Sequence, residues 1–322
     1  MRVLVTGATG FVGRALVPVL ADAGHEVRAV VRETPATSPA NGIVFHEIPD
    51  IGPETDWTDA LSGVDAVVHL AGRAHVMAER AADPAAAFNR INTAGTERLA
   101  RAAADAGIKR FVYISTVKVM GEETRAPYSE ADTPTPEDAY GASKLAGEKA
   151  LLRIAGETDL EAVILRPPLV YGPGAKGNLL SLLKLCRLAP PLPFAAIDNR
   201  RSLIFVGNLV DAVVLCLEHP KAAGQTFFIR DGDDLSTPDL IRRTARALHR
   251  PSRLFPVPVA LLDLAGRVTG KSATVARLTG NLQVNDEKIR HLLGWTPPFN
   301  VVQGLDKMAD WFTNAPEGAH NT

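Results

Sequence analysis

The sequence predicts an α/β protein built on a doubly wound parallel sheet, followed by a smaller and mostly helical segment. Short runs rich in Val and Ile recur through the first half of the chain, and they are continuous rather than alternating, as in strands buried on both faces. Amphipathic stretches separate these runs, and a repeated strand–helix–strand order is typical of parallel sheets. After residue 173, proline becomes frequent and strand-like runs become sparse.

The elements follow in chain order. The predicted strands are 2–6 (RVLVT), 26–31 (EVRAVV), 43–48 (IVFHEI), 65–72 (DAVVHLAG), 110–116 (RFVYIST) and 161–167 (EAVILRP). The stretch 91–107 has a clear helical pattern and ends at Gly107, a residue type that commonly stops helices. The helix after the first strand contains Pro18, which predicts a kink or an early end because proline lacks a backbone N–H.

Composition excludes several classes of protein. The 322 residues include 36 acidic and 35 basic side chains, so we expect no basic field for nucleic acid or an anionic membrane. No apolar stretch approaches the roughly 18 residues that span a bilayer. Cys186 and Cys216 lack a second Cys or His at metal-ligand spacing, which predicts reduced thiols and no metal site. The chain begins with one short apolar run that turns to glycine, so we expect no signal peptide and a cytoplasmic location.

A glycine-rich loop joins the first strand to the first helix. Gly7 allows a tight turn, Gly10 lets backbone amides approach a pyrophosphate, and Gly13 allows close packing of helix on strand. The positive end of the helix dipole follows immediately. This setting predicts a Rossmann domain that binds a nicotinamide dinucleotide. The contacts predicted from the loop are those of Gly7, Gly10, Phe11, Val12, Gly13 and Arg14.

The end of the second strand indicates which dinucleotide is bound. NAD sites usually present a carboxylate there to the ribose 2′-hydroxyl, whereas NADP sites present an arginine to the 2′-phosphate. Here the strand is followed by Arg32, and Arg14 lies just past the third glycine, so NADP(H) is favoured. Glu33 is adjacent and leaves NAD(H) open as the alternative.

The segment DAYGASKLAG (138–147) places a phenol, Tyr140, one helical turn before an ammonium, Lys144. A free phenol has a pKa of about 10, and an adjacent positive charge lowers that pKa by favouring the phenolate. The pair can then exchange a proton with an alcohol or carbonyl oxygen while hydride moves. Together with the glycine loop, this pair predicts an active site rather than an exposed helix face.

Six motifs follow one another along the chain, namely TGATGFVG (6–13), HLAG (69–72), NTAGT (92–96), YIST (113–116), YGASK (140–144) and RPPLVYGPG (166–174). Taken in this order, they resemble those of extended short-chain dehydrogenases/reductases, the group of nucleotide-sugar epimerases, dehydratases and reductases. The resemblance spans essentially the whole chain. It implies that Thr116 hydrogen-bonds the reacting oxygen, that Tyr140 is the general acid/base, and that Lys144 holds the nicotinamide ribose. It also implies dinucleotide contacts from Asp50, Ile51, Leu70, Ala71, Gly72, Asn92, Ser115, Pro167 and Val170.

The residues after Thr116 bear on the reaction that the resemblance implies. The 4,6-dehydratases of the group carry an Asp–Glu pair there, because removing water needs a further acid and base. This chain has Val117 and Lys118 instead, so dehydration is disfavoured. Together with Arg32, the segments 72–84 (GRAHVMAERAADP), 115–122 (STVKVMGE) and 279–298 (TGNLQVNDEKIRHLLGWTPP) are similar to bacterial reductases of UDP-2-acetamido-2,6-dideoxy-4-ketohexoses.

The sequence therefore predicts an NADP(H)-dependent oxidoreductase that reduces the C4 ketone of a UDP-linked deoxy-amino sugar in surface-polysaccharide synthesis. A UDP-hexose 4-epimerase with tightly bound NAD is the alternative. A non-catalytic NADP(H)-binding sensor is a second alternative, disfavoured because a sensor has no need of Thr116, Tyr140 and Lys144 together.

The resemblance also implies a domain organisation. We expect a Rossmann domain at 1–173, to which roughly 203–230 returns, and a nucleotide-sugar substrate domain at 174–322. The substrate contacts that it implies are those of Lys118, Asn178 and Arg201. Relatives pair through two helices each, which implies a homodimer formed by 84–106 and 138–156.

Overall fold

The computed structural model describes residues 1–35, 40–74 and 83–314 of the chain. Residues 75–82, within the segment compared above with the reductases, lie outside the described residues. The strands are β1 (Arg2–Thr6), β2 (Glu26–Val31), β3 (Ile43–Glu47), β4 (Ala66–His69), β5 (Arg110–Ile114), β6 (Glu161–Arg166), β7 (Leu169–Tyr171), β8 (Pro191–Leu192), β9 (Leu203–Phe205), β10 (Thr226–Phe228) and β11 (Arg253–Leu254).

Helices cover much of the remaining described chain. They are α1 (Phe11–Asp22), α2 (Thr58–Leu61), α3 (Pro84–Phe88), α4 (Thr96–Asp105), α5 (Ala139–Glu157), α6 (Asn178–Leu188), α7 (Val206–Glu218), α8 (Thr237–Ala247), α9 (Val259–Val268), α10 (Ser272–Thr279), α11 (Glu287–Leu293) and α12 (Val301–Asn314). A π-helical turn, Asn89–Gly95, precedes α4, and 3-10 turns lie at Val117–Val119 and Pro220–Ala222.

The main sheet of the described residues has seven parallel strands in the order β10-β6-β5-β4-β1-β2-β3, which confirms the doubly wound fold. The chain adds strands to one side of the sheet from β1 to β3 and to the other side from β4 onwards. Ligands of such sheets bind at this switch point, between β1 and β4, outside the carboxyl ends of the strands. The pairing of Thr6 with His69 brings the ends of β1 and β4 side by side there.

Helices cover both faces of this sheet. Val3 and Val5 of β1 join a core that includes residues of α1 and α7, whereas Leu4 joins a second core that includes Leu99 of α4 and Leu151 of α5. Burial on both faces explains why the strand sequences are continuous apolar runs rather than alternating ones.

The chain returns to the main sheet after residue 203. Leu209 and Val213 of α7 lie in the same core as β1, and β10 pairs with β6 through Phe227 and Leu165. The two-stranded sheets β7–β9 and β8–β11 and a third core, which includes Leu305 and Phe312 of α12, form much of the later chain. The boundary between the two domains stays a prediction.

Two local details differ from the predicted pattern. Helix α1 continues four residues beyond Pro18, to Asp22, so an early end at the proline is wrong. Leu16, Val17 and Leu20 are buried on this helix, and their packing offsets the missing backbone hydrogen bond. The stop at Gly107 is confirmed, because Gly107 has φ +73° just after α4.

The described residues also bear on a membrane span, on the two cysteines and on a metal site. Among the helices of the described residues, none has both the length and the apolar character that crossing a bilayer requires. Cys186 and Cys216 are buried free thiols, and burial raises the pKa of Cys216 to about 12. In the same part of the chain, no group of three or more His, Cys, Asp or Glu side chains could hold a metal ion.

Candidate active site

The loop between β1 and α1 is shaped by its glycines. Gly7 has φ +68°, and a Cβ there would lie 2.8 Å from the backbone nitrogen of Ala71. A Cβ on Gly13 would lie 2.2 Å from the carbonyl oxygen of Gly7, so α1 packs directly on the loop. Gly10 precedes α1, and the first N–H groups of a helix have no acceptor inside it. These features form a cradle that fits a pyrophosphate.

A cavity of about 1190 Å³ extends from this loop to the second part of the chain. Its lining includes five of the residues predicted to bind cofactor or substrate, namely Gly10, Phe11, Arg14, Val170 and Asn178. Thr116, Tyr140 and Lys144 are not among its described lining residues. The cavity therefore provides space beside the glycine loop. It does not locate Thr116, Tyr140 and Lys144, whose positions are defined by their own contacts.

The predicted adenosine-side residues follow β2 and β3. Arg32 comes directly after β2 and is exposed, and Ile51 Cγ2 would lie 3.1 Å from a Cβ on Gly95. The Asp50 carboxylate pairs with Arg90, and that hydrogen bond holds the pKa of Asp50 below its usual range. The contacts of these residues with a dinucleotide stay predictions.

Asn92 positions the segment that follows β4, which contains Leu70, Ala71 and Gly72. Its buried amide accepts from the Arg73 backbone nitrogen at 2.8 Å and donates to the Arg73 carbonyl at 3.0 Å. It also donates to Ser143 Oγ on α5 at 2.9 Å. Asn92 lies in the π-helical turn, a distortion that is frequent at functional sites. It therefore ties the end of β4 to the helix that carries the tyrosine.

Thr116, Tyr140 and Lys144 meet at the carboxyl end of β5 and the first turns of α5. Thr116 lies near enough to Tyr140 for its side chain to lower the pKa of the phenol. The Lys144 ammonium donates to the carbonyl oxygen of Ile114 at 2.6 Å and lies 4.0 Å from the centroid of the Tyr113 ring. The fold thus brings together the three residues that the resemblance assigns to catalysis, although their roles in turnover stay predictions.

Ser115 adds a buried polar atom to this site. The residue is 4% exposed, and its Oγ has no hydrogen-bond partner among the described residues. Leaving a buried hydroxyl unpaired is unfavourable, so such an atom indicates a ligand that completes the site. Pro167 lies against the same strand end, where its carbonyl accepts from the Val117 backbone nitrogen at 2.9 Å. The glycine cradle and this hydroxyl together fit a nicotinamide dinucleotide.

The electrostatics of the tyrosine differ from the sequence prediction. Burial raises the pKa of Tyr140 to about 12, with the Asp138 charge acting in the same direction and the Thr116 side chain opposing it. Burial also lowers the pKa of Lys144 to about 7, against the opposing charge of Glu148. The prediction that Lys144 lowers the pKa of Tyr140 is therefore wrong for the protein by itself. The ammonium is bonded to the Ile114 carbonyl, and both side chains lose hydration.

Sequence reasoning missed Asp138, which caps the catalytic helix. Its Oδ1 accepts from the Gly141 backbone nitrogen at 2.6 Å, and its Oδ2 accepts from the Lys118 ammonium at 2.8 Å. Although burial opposes ionisation, these hydrogen bonds hold the pKa of Asp138 below its usual range. An Asp just before a helix is a recognised N-cap signal, so the sequence contained this information.

Lys118 is placed by two carboxylates. Its ammonium pairs with Glu122 as well as with Asp138. The residue that replaces the dehydratase carboxylate is thus part of an ion-pair network beside Tyr140. Its predicted contact with a sugar stays a prediction.

A buried ion pair fixes α5 to the sheet, and sequence reasoning also missed it. Arg166 at the end of β6 donates to the two carboxylate oxygens of Glu148 at 3.0 and 2.6 Å. Both side chains are buried, and Glu148 lies one helical turn after Lys144. The pair depends on where β6 lies relative to α5, which no sequence spacing reveals.

The predicted substrate residues of the later chain are Arg201 and Asn178. Arg201 Nη1 donates to the carbonyl oxygens of Arg277 at 3.1 Å and Gly280 at 3.0 Å. Burial lowers the pKa of Arg201, and the charge of Glu122 opposes that effect. Asn178 is the first residue of α6. The binding of a diphosphate or sugar by these residues stays a prediction.

A glycine cradle at the switch point of a parallel sheet, next to a threonine and a Tyr–Lys pair, defines a dinucleotide-binding oxidoreductase of the short-chain type. Comparison with known proteins agrees with this class. The chain belongs to the NAD dependent epimerase/dehydratase family, whose model matches residues 3–229. The resemblance carried by its motifs is therefore confirmed.

Individual relatives are similar over nearly their full length. A UDP-glucose 4-epimerase of Vibrio cholerae is 44% identical over 317 residues, which cover 97% of this chain and 96% of the relative. The structure of UDP-glucuronic acid 4-epimerase from Bacillus cereus in complex with NAD has a TM-score of 0.80 at 22% identity, covering 99% of this chain and 98% of that one. MoeE5 in complex with UDP-glucuronic acid and NAD has a TM-score of 0.76 at 26% identity, covering 97% and 99%.

Proposed function

We propose that the protein is an NAD-dependent UDP-hexose 4-epimerase, which is the alternative rather than the leading function that its sequence predicts. The observation that carries the proposal is the meeting of Thr116, Tyr140 and Lys144 at the end of β5, followed by Val117 and Lys118 in place of the dehydratase carboxylates. The 44% identical relative is named as a UDP-glucose 4-epimerase, and MoeE5 binds NAD. These comparisons support epimerisation with NAD over reduction with NADPH.

The chain's own residues can manage the proton of the sugar oxygen. An epimerase must take a proton from a hydroxyl and later return one to the same oxygen. The Thr116 side chain lies near enough to Tyr140 to lower the pKa of its phenol, so we infer that both hydroxyls serve one oxygen atom. Burial keeps Tyr140 protonated at neutral pH, which suits the return of the proton to a ketone.

Removal of the proton requires positive charge near the phenolic oxygen. When bound, the oxidised nicotinamide supplies a hydride acceptor and a positive charge. Lys144 adds a second charge when it is protonated, and its pKa of about 7 makes that charge dependent on pH near neutrality. Asp138 opposes ionisation of Tyr140, and Lys118 offsets its charge by pairing with it.

The residues that would hold NAD are those that the resemblance assigns. The glycine cradle would bind the pyrophosphate, Lys144 the nicotinamide ribose, and Asp50 and Ile51 the adenine. Arg32 is the observation that favours the reductase, because a basic residue after β2 attracts a 2′-phosphate. An NADPH-dependent 4-keto reductase therefore remains the second candidate.

Interconversion without added cofactor is the test of the proposal. The purified protein is supplied with UDP-glucose or UDP-N-acetylglucosamine, and the products are separated by chromatography. We expect the C4 epimer to form, and we expect NAD(H) to be released when the protein is denatured. The Tyr140→Phe variant should retain the dinucleotide and lose about a thousandfold in kcat.

Two other results would replace the proposal. Consumption of NADPH with a UDP-4-ketohexose, without interconversion, would assign the reductase function. Binding of dinucleotide without turnover of any of these sugars would assign the sensor function.

A further inference from the structure

Helices α9 and α10 form a hairpin, residues 259–279, that contributes little to the core. Within its turn the Lys271 backbone nitrogen donates to the Gly266 carbonyl at 2.7 Å. A Cβ on Gly266 would lie 2.8 Å from Val275 Cγ2, so the two helices are closely packed on each other. Gly266 is the buried residue of α9, and α10, which is described throughout, has no buried residue. The hairpin therefore stands at the surface.

One face of α9 is aliphatic and exposed. Leu261, Leu264 and Val268 are 55%, 56% and 80% exposed, and their spacing of three and four residues places them on one stripe of the helix. We call these three residues the α9 stripe. Nothing among the described residues covers it, and contiguous exposed apolar surface on a folded protein commonly marks an interaction site.

The chain around the stripe is strongly basic. Residues 250–279 contain one acidic residue, Asp263, and five basic ones, which are Arg250, Arg253, Arg267, Lys271 and Arg277. All five basic side chains belong to exposed residues. The whole chain has 36 acidic and 35 basic side chains and is nearly neutral, so its total charge does not reveal this local excess of basic residues. The expectation of no basic field therefore holds for the total charge of the chain but not for residues 250–279.

The base of the hairpin is firmly attached to the protein. Asn199 Nδ2 donates to the carbonyl oxygens of Leu278 at 3.2 Å and Gly280 at 3.0 Å. Arg201 donates to the last turn of α10 and to Gly280, as described above. The exposed stripe is thus presented on a fixed support rather than on a loose loop.

We propose that the α9 stripe and its basic flanks dock the protein on an anionic lipid bilayer. An amphipathic helix with aliphatic residues on one face and Lys or Arg beside them lies in the membrane interface, with its apolar face buried by about 5–10 Å. Basic residues near an anionic surface add electrostatic attraction that falls off within a Debye length. A convex helix of this kind has no groove for an extended peptide.

Charge also argues against a second copy as the occupant. In a symmetric dimer the same patch meets itself, so Arg267 in the last turn of α9 and Lys271 in the turn after it would face their own copies. Like charges in close contact are unfavourable, whereas phosphate headgroups neutralise them. Charge complementarity therefore selects the bilayer.

Flotation with lipid vesicles tests the proposal. The full-length protein is mixed with vesicles of phosphatidylcholine and phosphatidylglycerol, or of phosphatidylcholine alone, and centrifuged on a density gradient. We expect the protein to float with the anionic vesicles, to float weakly with the neutral ones, and to dissociate as salt is raised.

Paired variants locate the binding surface. Leu261→Ser/Leu264→Ser should lower the partition coefficient at least tenfold because it removes the aliphatic face. The matched control, Val44→Ser/Leu188→Ser, removes two exposed aliphatic residues elsewhere and should bind like the wild type. Arg267→Gln/Lys271→Gln should lower binding about thirtyfold, whereas Lys109→Gln/Lys221→Gln should not.

Thermal unfolding and gel filtration of each variant separate loss of binding from loss of fold. The charge variants alter only exposed side chains, so they remain informative if the serine variants unfold. The proposal is overturned if the wild type stays with the unbound fraction at low salt. It is equally overturned if the hairpin variants float as their controls do, or if they abolish self-association of the protein instead of vesicle binding.

Discussion

Strand β4 and helix α9 are both rich in aliphatic residues, yet they place those residues in opposite environments. Val67 and Val68 are fully buried, because β1 and β5 flank their strand and helices cover both faces of the sheet. Leu264 and Val268 are more than half exposed, because α9 packs mainly on α10. Aliphatic content thus shows that a segment can be buried. The number of neighbouring helices and strands decides whether the segment is buried.

Charged residues show the same contrast. Arg166 at the end of β6 and Glu148 of α5 are paired, and their side chains are 8% and 2% exposed. Arg242 and Asp239 on α8 are also paired, but both side chains are 49% exposed. The first pair holds the catalytic helix against the sheet, and the second lies on the surface of a helix. We therefore expect the same kind of substitution to change the stability of the protein differently in the two regions.

The largest difference is expected for the two ion pairs. Arg166→Met leaves the Glu148 carboxylate buried without its partner, which should cost about 3 kcal/mol or more of unfolding free energy. Arg242→Met removes an exposed pair and should cost less than about 0.5 kcal/mol. Denaturant unfolding of both variants measures the difference. Equal losses would mean that the Arg166–Glu148 pair is not more desolvated than the surface pair.

A smaller difference is expected for two valines. Val68→Ala opens a space in the centre of the sheet and should cost about 2 kcal/mol, because the surrounding core cannot collapse fully. Val268→Ala at the tip of the hairpin should change stability by less than about 0.5 kcal/mol. If Val268→Ala destabilises the protein as much as Val68→Ala, then α9 is covered in solution and its exposure here does not describe the free protein.

The smallest difference concerns pH and two lysines. The folded pKa of Lys144 is about 7 because the side chain is buried, whereas an unfolded lysine titrates near about 10.4. Between these values the unfolded chain binds a proton that the folded chain does not, so raising the pH favours folding. Below about pH 7 both states bind it, and the penalty for burying the charge is fully present.

The measurement compares stability with and without the buried amine. On protein freed of nucleotide, the unfolding free energy of the wild type relative to Lys144→Met should rise by about 1 kcal/mol between about pH 8 and pH 9. The exposed control, Lys271→Met, should show no such dependence over the same interval. A flat difference for Lys144→Met would show that the ammonium is hydrated in the folded protein.

Much of the sheet could be predicted because strands that are buried on both faces are continuous apolar runs, which are visible in the sequence. The six predicted strands, from 2–6 to 161–167, are all present, and two of them match at both ends, whereas the ends of the others differ by at most three residues. Strand β10, Thr226–Phe228, was not identified individually, because three residues are too few to show a pattern. Its position next to β6 depends on how the chain returns after α7.

The candidate site was only partly predictable. Tyr140 and Lys144 are linked by helical spacing, and Thr116 ends a predicted strand, so motifs could identify all three. The Glu148–Arg166 and Lys118–Asp138 pairs depend on contacts between separate elements, whereas Lys118 and Glu122 are only four residues apart. The direction of the pKa shift of Tyr140 was wrong because sequence spacing gives the nearest charge but not the loss of water.

The sequence by itself determined the doubly wound sheet, the glycine cradle and the identity of the Tyr–Lys–Thr group, because each leaves a periodic or closely spaced pattern along the chain. Only the tertiary structure decided which ion pairs are buried, how burial shifts the pKa values of Tyr140 and Lys144, and which aliphatic helix stays exposed. Those properties depend on how many neighbours exclude water from a side chain, and neighbours distant in sequence supply most of that exclusion.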